Sequence, residues 1–205
     1  MVDREYSINN KSEGAMYPYS FDLCNGYHYF AECAGKSEDD KKTRYYNSAC
    51  VFFASSCIEA ILNERISMYH TLGKDIRDQH IPMQYWETLF NIQKNKSIKE
   101  KWNLIISVLG GQLWDSSKEP FQSYDILFSL RNELVHYKAH FKEMGDAPTR
   151  KIKSLLETLI GKIKVSNNPE EYKAWVTTLL ESPKLGNWVK EKVNYWWSMI
   201  NGRIP

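Results

Sequence analysis

Residues 127–138 have the sequence LFSLRNELVHYK, and the fold predicted for the chain depends on this stretch. Successive residues of an α-helix are turned by about 100°, so spacing alone assigns each residue to a face. The spacing predicts a motif helix over about residues 122–141. Its core-facing stripe is apolar and consists of Leu127, Leu130, Leu134 and Phe141.

The opposite side of this helix carries a polar pair. Asn132 and His136 are one turn apart and point the same way, and the apolar residues around them are Phe128, Val135 and Ala139. Such a pair on an outward face indicates a surface that meets another helix of the chain, a second subunit or a ligand. The structural alternative is a satisfied polar pair that packs against a neighbouring helix.

The order Arg131, Asn132 and then His136, near the end of an apolar helix, resembles the signature of the HEPN superfamily. The aliphatic residues on both sides of this motif strengthen the likeness. A second stretch, Glu59-Ala60-Ile61-Leu62-Asn63, resembles the end of the first long helix in HEPN proteins of this size. The resemblance covers roughly residues 37–141, is specific in these two stretches, and implies an all-α antiparallel helical bundle.

The rest of the chain agrees with an all-α domain, since it shows no strand-like alternation of any length. We expect residues 1–36 to form an N-terminal extension that packs on the bundle through its aromatic side chains. Residues 37–205 would form the HEPN-like helical domain, with extra C-terminal helices over about residues 151–200. Ser37 with Asp40 resembles a capping box and would open the first long helix, which runs to about Thr71.

Many HEPN domains are metal-independent endoribonucleases, and the resemblance implies this activity here, without a cofactor or metal. Such cleavage needs a base for the ribose 2′-OH, a donor for the leaving 5′-oxygen and a cation for the phosphate charge. His136 suits the acid or base role, Arg131 suits the phosphate, and Asn132 can orient His136 or donate to a phosphate oxygen. Because one chain has one motif, a homodimer that apposes two motif helices would supply both histidines.

Three further residues are predicted to support the motif. Glu59 and Asn63 are one turn apart on the first long helix, and Arg131 is the expected cation for Glu59. The alternative for Glu59 is a partly exposed carboxylate hydrated by water. Tyr137 directly follows His136. A toxin branch of the family is modified on a Tyr two residues after the His; Lys138 stands there, so we do not expect that control.

Cations near the end of the motif helix are predicted to contact the RNA backbone. This set comprises Lys138, His140, Lys142, Arg150 and Lys151. The alternative is that these side chains complement the negative end of the helix dipole. A net charge of +2 in 205 residues is too small to indicate nucleic-acid binding by itself.

The sequence predicts a cytoplasmic protein, because it has no secretory signal and no apolar run of membrane-spanning length. The four cysteines show no zinc-site spacing and are expected to be buried thiols. An antitoxin or regulatory protein is a further expected partner, in a toxin or phage-defence setting. The alternative functions are a non-catalytic HEPN-like module that binds RNA, a nucleotide or a protein, and a purely structural bundle.

Overall fold

A computed structural model describes residues 17–72, 81–136, 148–161 and 174–203, and within these ranges the chain forms helices and no strand. The all-α helical bundle predicted from the sequence is therefore confirmed. The helices are α1 Ser20–Lys36, α2 Asp40–Leu72, α3 Met83–Ile92, α4 Ile98–Leu109, α5 Phe121–Val135, α6 Arg150–Leu159, α7 Trp175–Leu180 and α8 Pro183–Arg203, with a 3₁₀ turn at Gln93–Asn95. None of the helices within the described ranges is both long and apolar enough to cross a membrane.

The central helix is α2, which is roughly 50 Å long at 1.5 Å per residue. It packs against α1, α3, α4, α5, α7 and α8. Cys50, Ile58 and Ile66 along its length are fully buried. Every other helix except α6 therefore forms part of its surroundings.

The start of α2 differs from the prediction. The Asp39 carboxylate accepts the backbone N–H of Lys41 at 2.8 Å and of Lys42 at 3.0 Å. A side chain that accepts two of the free N–H groups is the N-cap, so the predicted capping box of Ser37 and Asp40 is wrong. The Ser37 hydroxyl instead bonds within the preceding turn, to the backbone of Asp39.

Helix α1 lies within residues 1–36 and is packed into the core, where Tyr27, Ala31 and Ala34 are 0% exposed. Its contact with α2 is close, because a side-chain carbon at Gly26 would clash with the ring of Phe53. Its contact with α8 is equally close, since a carbon added at Gly186 would lie 2.9 Å from Cα of Ala31. Small residues at both crossings allow three backbones to approach one another.

An aromatic cluster holds the first turn of α5. Phe121 and Tyr124 are fully buried, and their rings lie among those of Trp102, Trp114 and Trp196 at centroid distances of 4.8 to 6.3 Å. The cluster joins α4, α5 and α8 and the loop after α4. The beginning of α5 is thus anchored in the core, while its last turn lies outside this cluster.

Two helices end earlier than predicted. Helix α5 stops at Val135 instead of Phe141, and its C-cap is His136 at φ −103° and ψ 21°. Val135 is exposed, so packing no longer supports the helix at this point. Helix α6 stops at Leu159 instead of residue 163, because Gly161 adopts a φ of 90° that ends helices.

Candidate active site at the end of the fifth helix

The last turn of α5 presents the three motif residues. Arg131 is half-buried, whereas Asn132 and His136 are exposed. The Arg131 Nη1 donates a hydrogen bond to Asn132 Oδ1 at 3.0 Å. The backbone N–H of His136 donates to the carbonyl of Asn132 at 2.9 Å, which keeps His136 one helical turn beyond Asn132. The predicted Arg, Asn and His therefore lie together at one helix end.

The Arg131 contact determines which groups of the motif remain available to a ligand. Asn132 Oδ1 already accepts from Arg131, and its amide Nδ2 can donate outward. The guanidinium has further N–H donors besides the one that bonds to Asn132. The site therefore offers a guanidinium, an amide donor and an imidazole to an oxyanion that approaches from solvent.

The apolar residues predicted around the polar pair are Phe128, Val135 and Ala139. Phe128 is partly buried and packs against the core, as does Leu134 of the predicted core-facing stripe. Val135 is 48% exposed and lies between Leu134 and His136 in the last turn. Ala139 lies outside the described residues. Val135 is the apolar residue that a partner could cover.

The predicted pairing of Glu59 with Arg131 is wrong. Glu59 Oε1 instead lies 3.6 Å from Lys101 Nζ, and the same ammonium donates to Asn63 Oδ1 at 2.8 Å. Lys101 is 3% exposed, so its charge requires acceptors within the protein. Glu59 and Asn63 are indeed neighbours on α2, but they serve a buried lysine of α4.

Lys101 is the residue of this group that sequence analysis missed, although the sequence contains a signal for it. Trp102, Ile105 and Ile106 form the buried stripe of α4, and Lys101 precedes Ile105 by one turn on the same side. A lysine at a position that spacing assigns to the core predicts acceptors on the facing helix. Glu59 and Asn63 of α2 provide these acceptors.

The predicted RNA-binding cations are only partly described. Lys151 Nζ donates to Asp125 Oδ2 at 3.3 Å, and Asp125 lies in the second turn of α5, roughly 16 Å along the axis from His136. Arg150 is exposed at the start of α6. The structure thus places Lys151 near the first half of α5 rather than beside His136. Lys138, His140, Lys142 and the supporting Tyr137 lie outside the described residues.

A groove of about 550 Å³ between α5, α6 and α8 is lined by none of the motif residues. Its apolar lining includes Ile126 and Trp188. Its rim carries both charges, because Lys192 Nζ lies 3.8 Å from Glu119 and 3.5 Å from Glu191. The groove therefore carries carboxylates beside its lysines Lys184 and Lys192, unlike the motif with its nitrogen donors.

Over the described ranges no three His, Cys, Asp or Glu side chains converge to hold a metal ion. The site at the end of α5 is instead built from neutral and cationic nitrogen donors, which suit an oxyanion. Comparison with known proteins adds no family: no protein-family model, no curated protein and no solved structure matches the chain.

Proposed function

We propose that the chain is a metal-independent endoribonuclease of the HEPN type, active as a homodimer. The observation that carries this proposal is the hydrogen bond from Arg131 to Asn132, one turn before the exposed His136. It joins a phosphate-binding cation to an amide donor within reach of an acid–base group. Asn132 and His136 are exposed and contribute little to packing, which favours a role in binding or chemistry.

In the proposed reaction His136 of one protomer removes the proton from a ribose 2′-OH. The 2′-oxygen attacks the adjacent phosphorus, and His136 of the second protomer protonates the leaving 5′-oxygen. The products are a 2′,3′-cyclic phosphate and a 5′-hydroxyl. Arg131 and the Asn132 amide stabilise the charge on the non-bridging phosphate oxygens.

The homodimer is part of the proposal because each chain supplies one motif. A two-fold axis near the last turn of α5 brings the two copies of His136 to opposite sides of one phosphodiester. Val135, 48% exposed beside His136, would be covered in this arrangement. Light scattering after gel filtration at micromolar concentration should give twice the chain mass, and a strictly monomeric protein would contradict this part.

The deciding experiment measures RNA cleavage in EDTA by the wild type and by His136→Ala. General acid–base catalysis contributes about 10²–10⁴ in rate, so we expect a loss of this size. Product ends should be 2′,3′-cyclic phosphates. His70→Ala is the matched control, since the His70 ring stacks on that of Phe90 with their centroids 4.3 Å apart, and it should cleave like the wild type.

Other outcomes of this experiment separate the alternatives. A folded dimer that binds several RNAs but cleaves none of them would favour the non-catalytic binding module. Full cleavage by His136→Ala would mean that a different residue or a contaminant carries the activity. Loss of cleavage in EDTA alone, with recovery on adding Mg²⁺, would contradict the metal-independent mechanism.

A further inference from the structure

The antiparallel packing of α1 on α2 brings two cysteines to the same level. Ser20 of α1 faces Glu64 of α2, with Ser20 N and Oγ donating to the carboxylate at 2.7 and 2.5 Å. Further along, Gly26 of α1 faces the ring of Phe53. Cys24 lies between Ser20 and Gly26 on α1, and Cys57 lies between Glu64 and Phe53 on α2. The register of the two helices therefore places these thiols opposite each other.

Hydrogen bonds fix the position of each sulfur. Cys57 Sγ donates to the carbonyl of Ser20 at 3.5 Å. Ser20 lies one turn before Cys24 on α1. Cys24 Sγ and Tyr27 Oη are hydrogen-bonded at 3.5 Å. The bond from Cys57 therefore places its sulfur beside the turn of α1 that carries Cys24.

The two thiols differ in exposure and in acidity. Cys24 is half-buried, whereas Cys57 is 1% exposed. The neighbouring Cys57 thiol lowers the pKa of Cys24 to about 6, against the opposing effect of burial, and Tyr27 and His28 lower it further. The neighbouring Cys24, together with burial, raises the pKa of Cys57. Cys24 is therefore mostly thiolate at neutral pH and accessible to a small reagent. Cys57 is buried and keeps its proton.

We propose that Cys24 and Cys57 form a reversible disulfide when the chain meets a hydroperoxide. The Cys24 thiolate attacks the terminal peroxide oxygen, the O–O bond breaks, and Cys24 becomes a sulfenic acid while water or an alcohol leaves. The Cys57 sulfur, having given up its proton, attacks Cys24 Sγ, the S–O bond breaks, and a second water leaves. Two thiols are oxidised and one peroxide is reduced, and a dithiol reductant reverses the change.

The remaining cysteines lack these features. Cys50 is fully buried, donates to the carbonyl of Tyr27 at 3.5 Å, and has a pKa raised to about 12 by burial. Cys33 is half-buried and lies nine residues, about two and a half turns, beyond Cys24 on α1, too far along the helix to replace Cys24 against Cys57. Cys33→Ser and Cys50→Ser are therefore matched controls.

The test uses the full reduced chain, treated with hydrogen peroxide, quenched with catalase, then denatured and alkylated. Intact mass should show two alkyl groups in place of the four of the reduced chain, and dithiothreitol should restore all four. Peptide mapping should identify a Cys24–Cys57 link. Cys33→Ser and Cys50→Ser should form the same link, whereas Cys24→Ser should keep its three thiols.

Cys57→Ser separates the two steps, because it should stop at a Cys24 sulfenic acid that dimedone labels. Cys57→Ala serves the same purpose if the serine chain does not fold, as judged by circular dichroism. Four alkylatable thiols after peroxide would overturn the proposal. So would a link that involves Cys33 or Cys50, or one that joins two chains. The result is independent of RNA cleavage, so it stands or falls separately from the proposed function.

Discussion

The interface of α1 with α2 and the last turn of α5 both carry polar groups. At the interface these groups bond across two helices, whereas in the last turn of α5 they are exposed. At the interface the Glu64 carboxylate accepts two hydrogen bonds from Ser20, and the Cys57 thiol donates one to the backbone carbonyl of Ser20. At the end of α5, Asn132 and His136 are exposed, and among the described residues the side-chain bond of the motif joins the adjacent Arg131 and Asn132. The first region uses polar groups to join two helices; the second leaves them available to solvent.

This difference predicts which substitutions should change the stability of the fold and which should change the proposed activity. Substitutions between α1 and α2 change atoms that two helices share, so they should lower the free energy of unfolding. Substitutions of the motif residues Arg131, Asn132 and His136 remove little packing and should change activity alone. A variant that violates this separation would show that the two regions are coupled.

The largest expected effect is on activity. Removing a preorganised donor to the developing phosphate charge costs about 10²–10³ in rate, so Arg131→Ala should lower RNA cleavage by that factor. Its melting temperature should stay close to that of the wild type, since the guanidinium bonds to exposed Asn132. Lys99→Ala, an exposed cation of α4, should leave both quantities unchanged. A large fall in melting temperature for Arg131→Ala would mean that the residue is structural.

The next effect is on stability and uses two glycines of α1. Gly26→Ala should destabilise the chain by about 3 kcal/mol, because the new methyl group clashes with the Phe53 ring. Gly35→Ala should stabilise the chain by about 0.5–1 kcal/mol, because no neighbouring atom lies within 4 Å of the added Cβ and alanine favours the helix. Denaturant titration measures both values. Equal effects at the two positions would contradict the close approach of α1 and α2.

The smallest effect concerns the start of α4, where Ser97 and Glu100 form a capping box. Ser97→Ala should lower the free energy of unfolding by about 1 kcal/mol. Hydrogen bonds from the Ser97 backbone and side chain lower the pKa of Glu100 to about 2 from its ordinary 4.5. The carboxylate therefore stabilises the fold fully above about pH 4.5, and this contribution is lost as the pH falls toward 2.

Denaturant titration at several pH values checks this last prediction. Glu100→Gln should lose less stability than the wild type between pH 5 and pH 2, because it has no carboxylate to protonate there. Glu87→Gln, an exposed acid of α3, provides the control and should follow the wild-type pH dependence. Parallel curves for Glu100→Gln and wild type would mean that the capping carboxylate contributes nothing to folding.

Helical periodicity predicted most of the described helices because it reflects burial directly, as Leu127 and Leu130 show in α5. The cap at Asp39 and the end of α6 at Gly161 were missed because each depends on the conformation of a few residues at a helix end. The motif residues were proposed as a site because their order resembles a family signature and because Asn132 and His136 stand among apolar residues, and helical spacing alone placed them together. The partner of Glu59 was predicted wrongly, since helical spacing does not determine which helix lies opposite.

The contact of α1 with α8 has a consequence for synthesis on the ribosome. Tyr27 Oη donates to Asn194 at 2.9 Å, and Gly186 packs against the backbone of Ala31, so α1 is incomplete without a helix made much later. At about 5–20 residues per second the wait is on the order of ten seconds. During this interval α1 can pack on α2, which follows it directly in the chain, but the side of α1 that contacts α8 is without its final cover.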